Sequence, residues 1–224
     1  MFKTGNNFAD YFFFATIFLP LIPVILIFLQ KNYGKEPLNL LMIVCLFNFI
    51  DGFIRAIPIN SIENQYVAKN IFSLLEMILL TQLFASILNS RIKNILNIFL
   101  VAYLSVYLTF FSIKGWQLNS KVFDSLQSCI IIGVALLSLP PLIRAANLYI
   151  FQSALFWIAT GTLFYFFLSA LLEWIVAFCL PLSRLPNEEK KIFMTIADLV
   201  RYSFYILAVV LYRFPGRKES ESSP

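Results

Sequence analysis

Long apolar stretches separated by short polar segments dominate the pattern along the chain. A transmembrane helix needs about 20 mostly apolar residues, and seven stretches meet this requirement. The stretches are continuously apolar rather than alternating, which favours helices over the strands of a barrel. The predicted spans are Tyr11–Gln30, Pro37–Ile57, Val67–Leu88, Asn94–Ile113, Val122–Ile143, Phe151–Cys179 and Ile192–Tyr212, followed by a short basic and polar tail over 213–224. The pattern therefore predicts an all-α, polytopic membrane protein, a bundle of seven transmembrane helices, with a proline kink at Pro20 and Pro23 in the first span.

Composition supports this class and excludes several kinds of site. Hydrophobic residues make up 60% and charged residues 13% of the 224-residue chain, against about 45–50% and about 25% in soluble domains. Histidine is absent, which removes histidine-ligated haem, histidine-containing zinc sites and serine–histidine catalysis. The cysteines, at positions 45, 129 and 179, are scattered and apolar in context, as packing residues are. We expect no metal and no cofactor, and no run of Lys or Arg is long enough to indicate nucleic acid.

Charges in the loops predict the orientation in the bilayer. Eight Lys and Arg residues flank the spans on the side of the C-terminus, and seven flank them on the other side. The eight lie in tighter loops close to the span ends, where the positive-inside bias is strongest. We therefore expect the N-terminus outside and the C-terminus in the cytoplasm. The short loops and the abundance of Lys, Asn and Ile favour a bacterial inner membrane.

Ionisable side chains inside the spans mark the candidate site, since each costs on the order of 2.5–3.5 kcal/mol to insert. Counting about 1.5 Å per residue from the span ends places all of them in the half of the bilayer nearer the N-terminus. This predicts a polar cavity open on that side and a dry, closed opposite half. Glu76 is the central candidate, because it is the deepest acid and has no basic residue within one turn. The full set of ligand-binding or proton-binding candidates is Glu76, Asp51, Arg55, Asp198, Arg201, Glu173, Asn48 and Gln127.

A purely structural interpretation of these charges stays open. Asp51 and Arg55 lie four residues apart, and Asp198 and Arg201 three apart, so each pair could neutralise itself within its helix or bridge to another. Glu173 lies near the end of its span and could extend to the interface. Four carboxyl groups for two guanidinium groups predict either protonated acids or a cavity that takes a cationic group.

Motif searches leave an enzyme as the less favoured class. No glycine-rich phosphate loop and no cluster of acids for a metal-dependent lipid enzyme occurs. The seventh span has no lysine for a retinal Schiff base. Seven spans also divide as three, one and three, the plan of small sugar-transporting bundles, so transport is the alternative. Transport would need polar steps through the dry half, where the spans offer Thr81, Gln82, Ser105 and Thr160.

Two apolar spans carry features of a known class of membrane module. The third span contains Leu75-Glu76, and the sixth contains Phe156-Trp157-Ile158, Gly161 and Phe164-Tyr165. In these features the chain resembles the stand-alone seven-helix membrane regions that bacteria place in front of, or encode beside, sensory signalling domains. The resemblance implies that the bundle receives a signal and that a separate signalling protein carries the output. We therefore expect a non-enzymatic sensory or accessory module in the lipid bilayer that recognises a small ligand or protons, while a helix-bundle scaffold would have no accessible cavity.

Overall fold

The computed structural model describes residues 14–32, 34, 37–56, 62–114, 121–145, 150–178 and 187–212. These residues form helices and the turns beside them, without a β-strand among them, so the predicted all-α class is confirmed. The helices are α1 (Leu21–Leu29), α2 (Leu38–Ala56), α3 (Ile62–Ala85), α4 (Ser90–Lys114), α5 (Lys121–Ala145), α6 (Ala154–Phe178) and α7 (Asn187–Tyr212), with a short 3₁₀ turn at Ile150–Gln152. The tail over 213–224 and the side chains of Arg55 and Glu173 lie outside the described part of the chain.

Four of these helices are long and apolar enough to cross a membrane. They contain the segments Ser90–Ile113, Phe123–Arg144, Ala154–Leu172 and Ile192–Tyr212, which correspond to α4, α5, α6 and α7. Two further apolar helices, Phe14–Leu29 and Leu38–Ile54, are shorter, and α3 carries Lys69 and Glu76 within its length. The described residues therefore have the composition of a multi-pass membrane protein, and seven crossings stay a prediction.

The first predicted span bends at its proline. Residues 14–18 are helical, a turn follows at Leu19 and Pro20, and α1 begins at Leu21. Around the turn the backbone N–H of Leu19 donates to the carbonyl of Thr16 at 3.2 Å. This bond spans three residues, and it closes a tighter turn than the regular α-helical bond, which spans four. Proline lacks the N–H that a continuous helix needs at that position, which explains the interruption.

Six helices close into a ring, and α4 lies outside it. The order around the ring is α1, α2, α3, α5, α6, α7 and back to α1, each helix packing on the next. Because three steps separate α3 from α7 in either direction, these two helices face each other across the centre. The fourth helix packs against α3, and most of its large apolar side chains are exposed, as those of a lipid-facing helix would be.

Close backbone approach joins the two most extensively packed helices, α6 and α7. Trp157 of α6 stacks on Phe204 of α7, while Tyr165 lies over Arg201, so the two helices run antiparallel. A Cβ at Gly161 would lie 2.8 Å from the Cβ of Phe204 and 3.1 Å from the carbonyl oxygen of Arg201. The absence of a side chain at Gly161 therefore lets the backbone that carries Arg201 approach α6.

A large part of the hydrophobic core lies at one end of the ring. These side chains come from the last turns of α1, α3 and α7 and the first turns of α2 and α6, while α4, α5 and the middle of α6 and α7 add further core residues. We call this end the apolar half and the opposite end, where α3 and α7 begin, the polar half. Fully buried side chains of the apolar half include Ile27, Leu38, Leu41, Leu83, Phe84, Ile158, Ala208 and Val209. Their packing leaves a hydrocarbon interior at this end.

Candidate polar site at the centre of the helix ring

One face of α3 carries a row of polar side chains, which we call the stripe. Lys69, Ser73 and Glu76 follow one another at helical spacing on one face, and the buried residues Leu80 and Leu83 continue that face. The three polar residues span about 10 Å along the helix axis. This face of α3 is therefore polar through the polar half and hydrocarbon through the apolar half.

A buried ion pair crosses the centre of the ring at the inner end of the stripe. The guanidinium of Arg201 on α7 donates through one terminal nitrogen to Oε1 of Glu76 on α3. Asn48 on α2 donates its amide N–H to the same oxygen at 3.0 Å. Three helices thus meet at one carboxylate oxygen, and the ion pair joins two helices that lie opposite each other.

A directed chain of hydrogen bonds holds the guanidinium from the other side. Nε of Arg201 donates to the hydroxyl of Tyr205 at 3.1 Å. That hydroxyl lies 2.8 Å from the hydroxyl of Thr162, which donates its own proton to the carbonyl of Ile158 at 2.8 Å. Since a hydroxyl has only one proton, Tyr205 must donate to Thr162. Every proton in the chain is therefore engaged, and the last acceptor is the backbone of α6.

Aromatic rings enclose the same guanidinium. Its central carbon lies between 4.6 and 5.6 Å from the ring centres of Tyr165, Phe166, Tyr202 and Tyr205. At these distances each ring face attracts a cation, and the attraction is stronger where water is absent. The arginine is accordingly held by rings on α6 and α7 as well as by the carboxylate of Glu76.

Two further polar contacts join α3 to α5 toward the outer end of the polar half. Gln127 accepts a hydrogen bond from the hydroxyl of Ser73 at 2.8 Å and donates to the backbone carbonyl of the same residue at 2.5 Å. One turn further out, Lys69 forms an ion pair with Asp124 at 2.7 Å. The site is thus three layers deep along α3, and each layer links this helix to another.

The outer pair is more exposed than the inner pair, and Gln127 between them is buried. The side chains of Lys69 and Asp124 are 44% and 23% exposed, that of Glu76 is 14% exposed, and that of Arg201 only 2%. Within the ion pair the carboxylate is thus the more accessible group, and the guanidinium is buried. Beyond Arg201 lie the hydroxyls of Tyr205 and Thr162 and then mostly apolar buried side chains, with Thr81 and Ser138 among them.

The structure brings part of the predicted set together. Glu76, Arg201 and Asn48 share one hydrogen-bonded cluster, and Gln127 lies in the adjacent layer. Asp51 and Asp198 are half-buried, each engaged in an interaction, and each lies one turn further out on its helix than Asn48 or Arg201. No basic residue lies within one turn of Glu76 on α3, but its carboxylate is paired with a cation, because Arg201 reaches it from another helix.

Several polar residues of the site were not singled out from the sequence. Tyr205 and Thr162 resemble ordinary packing residues of apolar spans, and Ser73 is a common small residue in helices. A helical stripe could have revealed some of them, since Ser73 falls between Lys69 and Glu76, and Tyr205 lies one turn after Arg201. Contacts between different helices cannot be obtained from such a stripe.

The predicted polar steps of the apolar half do not form a continuous path. Gln82 donates to Asn97 on the outer helix α4 at 3.1 Å. Ser105 and Thr160 donate to carbonyls of their own helices, those of Val101 and Phe156. Thr81 alone among the four is buried, and its hydroxyl has no hydrogen-bond partner.

Comparisons with models of known protein families, with curated proteins and with solved structures found no match to this chain. Among the described residues, no three Cys, Asp or Glu side chains are grouped so that they could hold a metal ion. Support for a function therefore comes from the ion pair, its hydrogen bonds and its place in the ring.

Proposed function

We propose that this chain is a non-enzymatic sensory or accessory module of a bacterial inner membrane, with seven crossings, that recognises a small ligand at Glu76 and Arg201. One observation carries the proposal: an ion pair joins two opposite helices of the ring, with its guanidinium buried and its carboxylate partly exposed. Buried charges within a membrane are expensive and commonly mark ligand or ion sites.

The position of the ion pair suits the reception of a signal. A contact between neighbouring helices adds to packing that already exists, whereas Glu76 and Arg201 connect helices that are three steps apart in the ring. A ligand that competes for one of these charges would change the connection between α3 and α7 directly. Binding would then favour one arrangement of α3 and α7 over another, and such a shift between arrangements is how a receptor responds to its ligand.

The same helix that carries Glu76 also contacts the helix outside the ring. Gln82, six residues after Glu76, bonds Asn97 of α4. A displacement of α3 would consequently reach α4, whose outer surface is open to the bilayer or to another membrane protein. This connection supports output through a separate signalling partner.

Sensing is favoured over transport by the interior of the apolar half. Transport needs access to the site from both sides, and hence polar groups along the second half of the path. The fully buried side chains there include Leu41, Leu83, Phe84 and Ile158, and the buried polar residues Thr81 and Ser138 are set apart among them. A receptor needs access from one side only, so it does not require such a path.

Thiol labelling from each face of the membrane tests this proposal. We would replace the three native cysteines and introduce Ser73→Cys or, as a matched control on the same helix, Thr81→Cys. A membrane-impermeant maleimide is then applied to sealed vesicles of each orientation. We expect the thiol at 73 to react from the N-terminal side at least tenfold faster than the thiol at 81, which should react from neither side.

Other labelling patterns would contradict the proposal in different ways. If position 73 is inert from both sides, the charges serve only to hold the helices together, and a scaffold function replaces sensing. If both positions react, each from a different side, a continuous path exists and transport becomes the better hypothesis. An Asn48→Cys variant on α2 provides an independent check, because its side chain contacts Glu76 directly.

A further inference from the structure

We propose that the ligand of this site is a small zwitterion, of the size of a simple amino acid, whose carboxylate takes the place of Glu76 at Arg201 and whose cationic group then pairs with Glu76. The inference rests on the proposed function and specifies its ligand class. It follows from an asymmetry between the two members of the ion pair.

The guanidinium of Arg201 is the fixed member. Besides Glu76 it contacts the hydroxyl of Tyr205, which is anchored through Thr162 to the backbone of α6. Four aromatic rings surround it. All these contacts remain when the carboxylate of Glu76 leaves, so Arg201 stays in place as a preorganised receptor for an anionic group.

The carboxylate of Glu76 is the exchangeable member. Its described hydrogen bonds come from Asn48 and Arg201, and both go to the same oxygen, Oε1. Its side chain is also more exposed than that of Arg201. A carboxylate that enters the site can accept the same N–H donors, and the planar fork of arginine matches a carboxylate geometrically.

Charge balance selects a zwitterion over an ion of one sign. A simple anion at Arg201 would leave the carboxylate of Glu76 buried without its cation, and Asp51 and Asp198 lie one turn further out. Leaving one member of a buried pair alone is strongly unfavourable. A simple cation at Glu76 would instead leave Arg201 alone, and a guanidinium cannot lose its proton in a protein.

A zwitterion leaves neither charge alone. Its carboxylate would receive the N–H donors of Arg201, and its ammonium group would receive the carboxylate of Glu76. The centre would be neutral before and after binding, with no proton taken up or released. Asp51 and Asp198, one turn further out on their helices, add negative charge at this end, which attracts a cationic group.

A panel of matched small molecules tests the inference on the complete, purified chain in detergent. The zwitterions are glycine, β-alanine and γ-aminobutyrate, which differ in the separation of their charges, and the single-charge controls are acetate and methylamine. Binding is measured by calorimetry at constant pH in two buffers of different ionisation enthalpy. We expect at least one zwitterion to bind at least tenfold more tightly than either control, with a heat independent of the buffer.

A variant at Glu76, the exchangeable member, tests whether this residue binds the ammonium group. In Glu76→Gln the partner of the ammonium group is lost while the guanidinium remains, so the preference for the zwitterion over acetate should fall below about threefold. A Gln82→Leu variant, altered on the same helix but on the contact with α4, should keep the wild-type preference. The comparison on the unaltered chain stands even if Glu76→Gln does not fold.

Three results would overturn the inference. Equal binding of acetate and the zwitterions, with a buffer-dependent heat, would show an anion bound together with a proton. Tighter binding of methylamine would show a cation site. Binding of no member of the panel, while the thiol at position 73 still reacts from one side, would reject the zwitterion class and leave the accessible site of the proposed function intact.

Discussion

Removing the charge of Glu76 should destabilise the bundle more than removing the charges of Glu76 and Arg201 together. Loss of one member of a buried ion pair costs about 3–5 kcal/mol, mostly through the charge left behind. In Glu76→Gln the remaining guanidinium is 2% exposed and keeps its proton. Its four aromatic neighbours offset part of this penalty, so we expect a loss near 3 kcal/mol. In Arg201→Met the carboxylate of Glu76 is partly exposed and keeps the hydrogen bond from Asn48, which limits the loss to about 2–3 kcal/mol.

The double variant Glu76→Gln, Arg201→Met contains neither charge and should be less destabilised than Glu76→Gln alone. The coupling free energy between the two positions should then be about 2–3 kcal/mol, at the upper end for residues in contact. Unfolding is followed in lipid bicelles by titration with a denaturing detergent, with tryptophan fluorescence as the signal. The exposed pair of Lys69 and Asp124 is the control, with an expected coupling below about 1 kcal/mol. Additive losses at Glu76 and Arg201 would refute the view that this pair is an energetic link across the ring.

Three further predictions concern contacts that surround the ion pair, and each is checked by the same unfolding measurement. Gly161→Ala should lower the free energy of unfolding by about 1–3 kcal/mol, because α6 would be overpacked against α7. Gly133→Ala is the control: open space surrounds the new methyl group, and the free energy of unfolding should rise by about 0.5–1 kcal/mol. Gln127→Leu should lower the free energy of unfolding by about 1 kcal/mol, because two hydrogen bonds between α5 and α3 disappear. An unchanged stability would mean that this layer does not stabilise the bundle. Tyr205→Phe should lose about 1–3 kcal/mol by leaving a buried N–H of Arg201 without its acceptor, and a neutral result would show that the aromatic rings alone fix the guanidinium.

Hydropathy located the helices but shortened some of them at their polar ends. The third span is predicted to begin at Val67, whereas α3 begins at Ile62, and the seventh is predicted to begin at Ile192, whereas α7 begins at Asn187. The additional turns contain Glu, Asn and Lys, which form helices without being apolar. A criterion based on burial in lipid cannot detect a helical turn that extends into water.

The depth of the polar residues was predictable, and their partners were not. Depth follows from the position along a span, and Glu76 and Arg201 lie at matching depth, each 14 residues after the first residue of its helix, Ile62 or Asn187. The partner of a side chain depends on how each helix is rotated and on which helices are neighbours. Spacing along one helix left open whether Arg201 pairs with Asp198 or bridges to another helix, and the structure shows an ion pair between Arg201 and Glu76, 125 positions away. Only the order of helices around the ring supplies that contact.

The place of the ion pair in the ring also determines how its loss should spread. In the apolar half, neighbouring helices are held by continuous hydrocarbon packing that includes Leu83 and Phe84. In the polar half, among the described residues, the Glu76–Arg201 pair joins α3 to α7 across the ring. Release of Glu76 from Arg201 should therefore loosen the polar half while the apolar half stays closed. A change of shape confined to one end of the bundle is what the proposed reception of a ligand from one side requires.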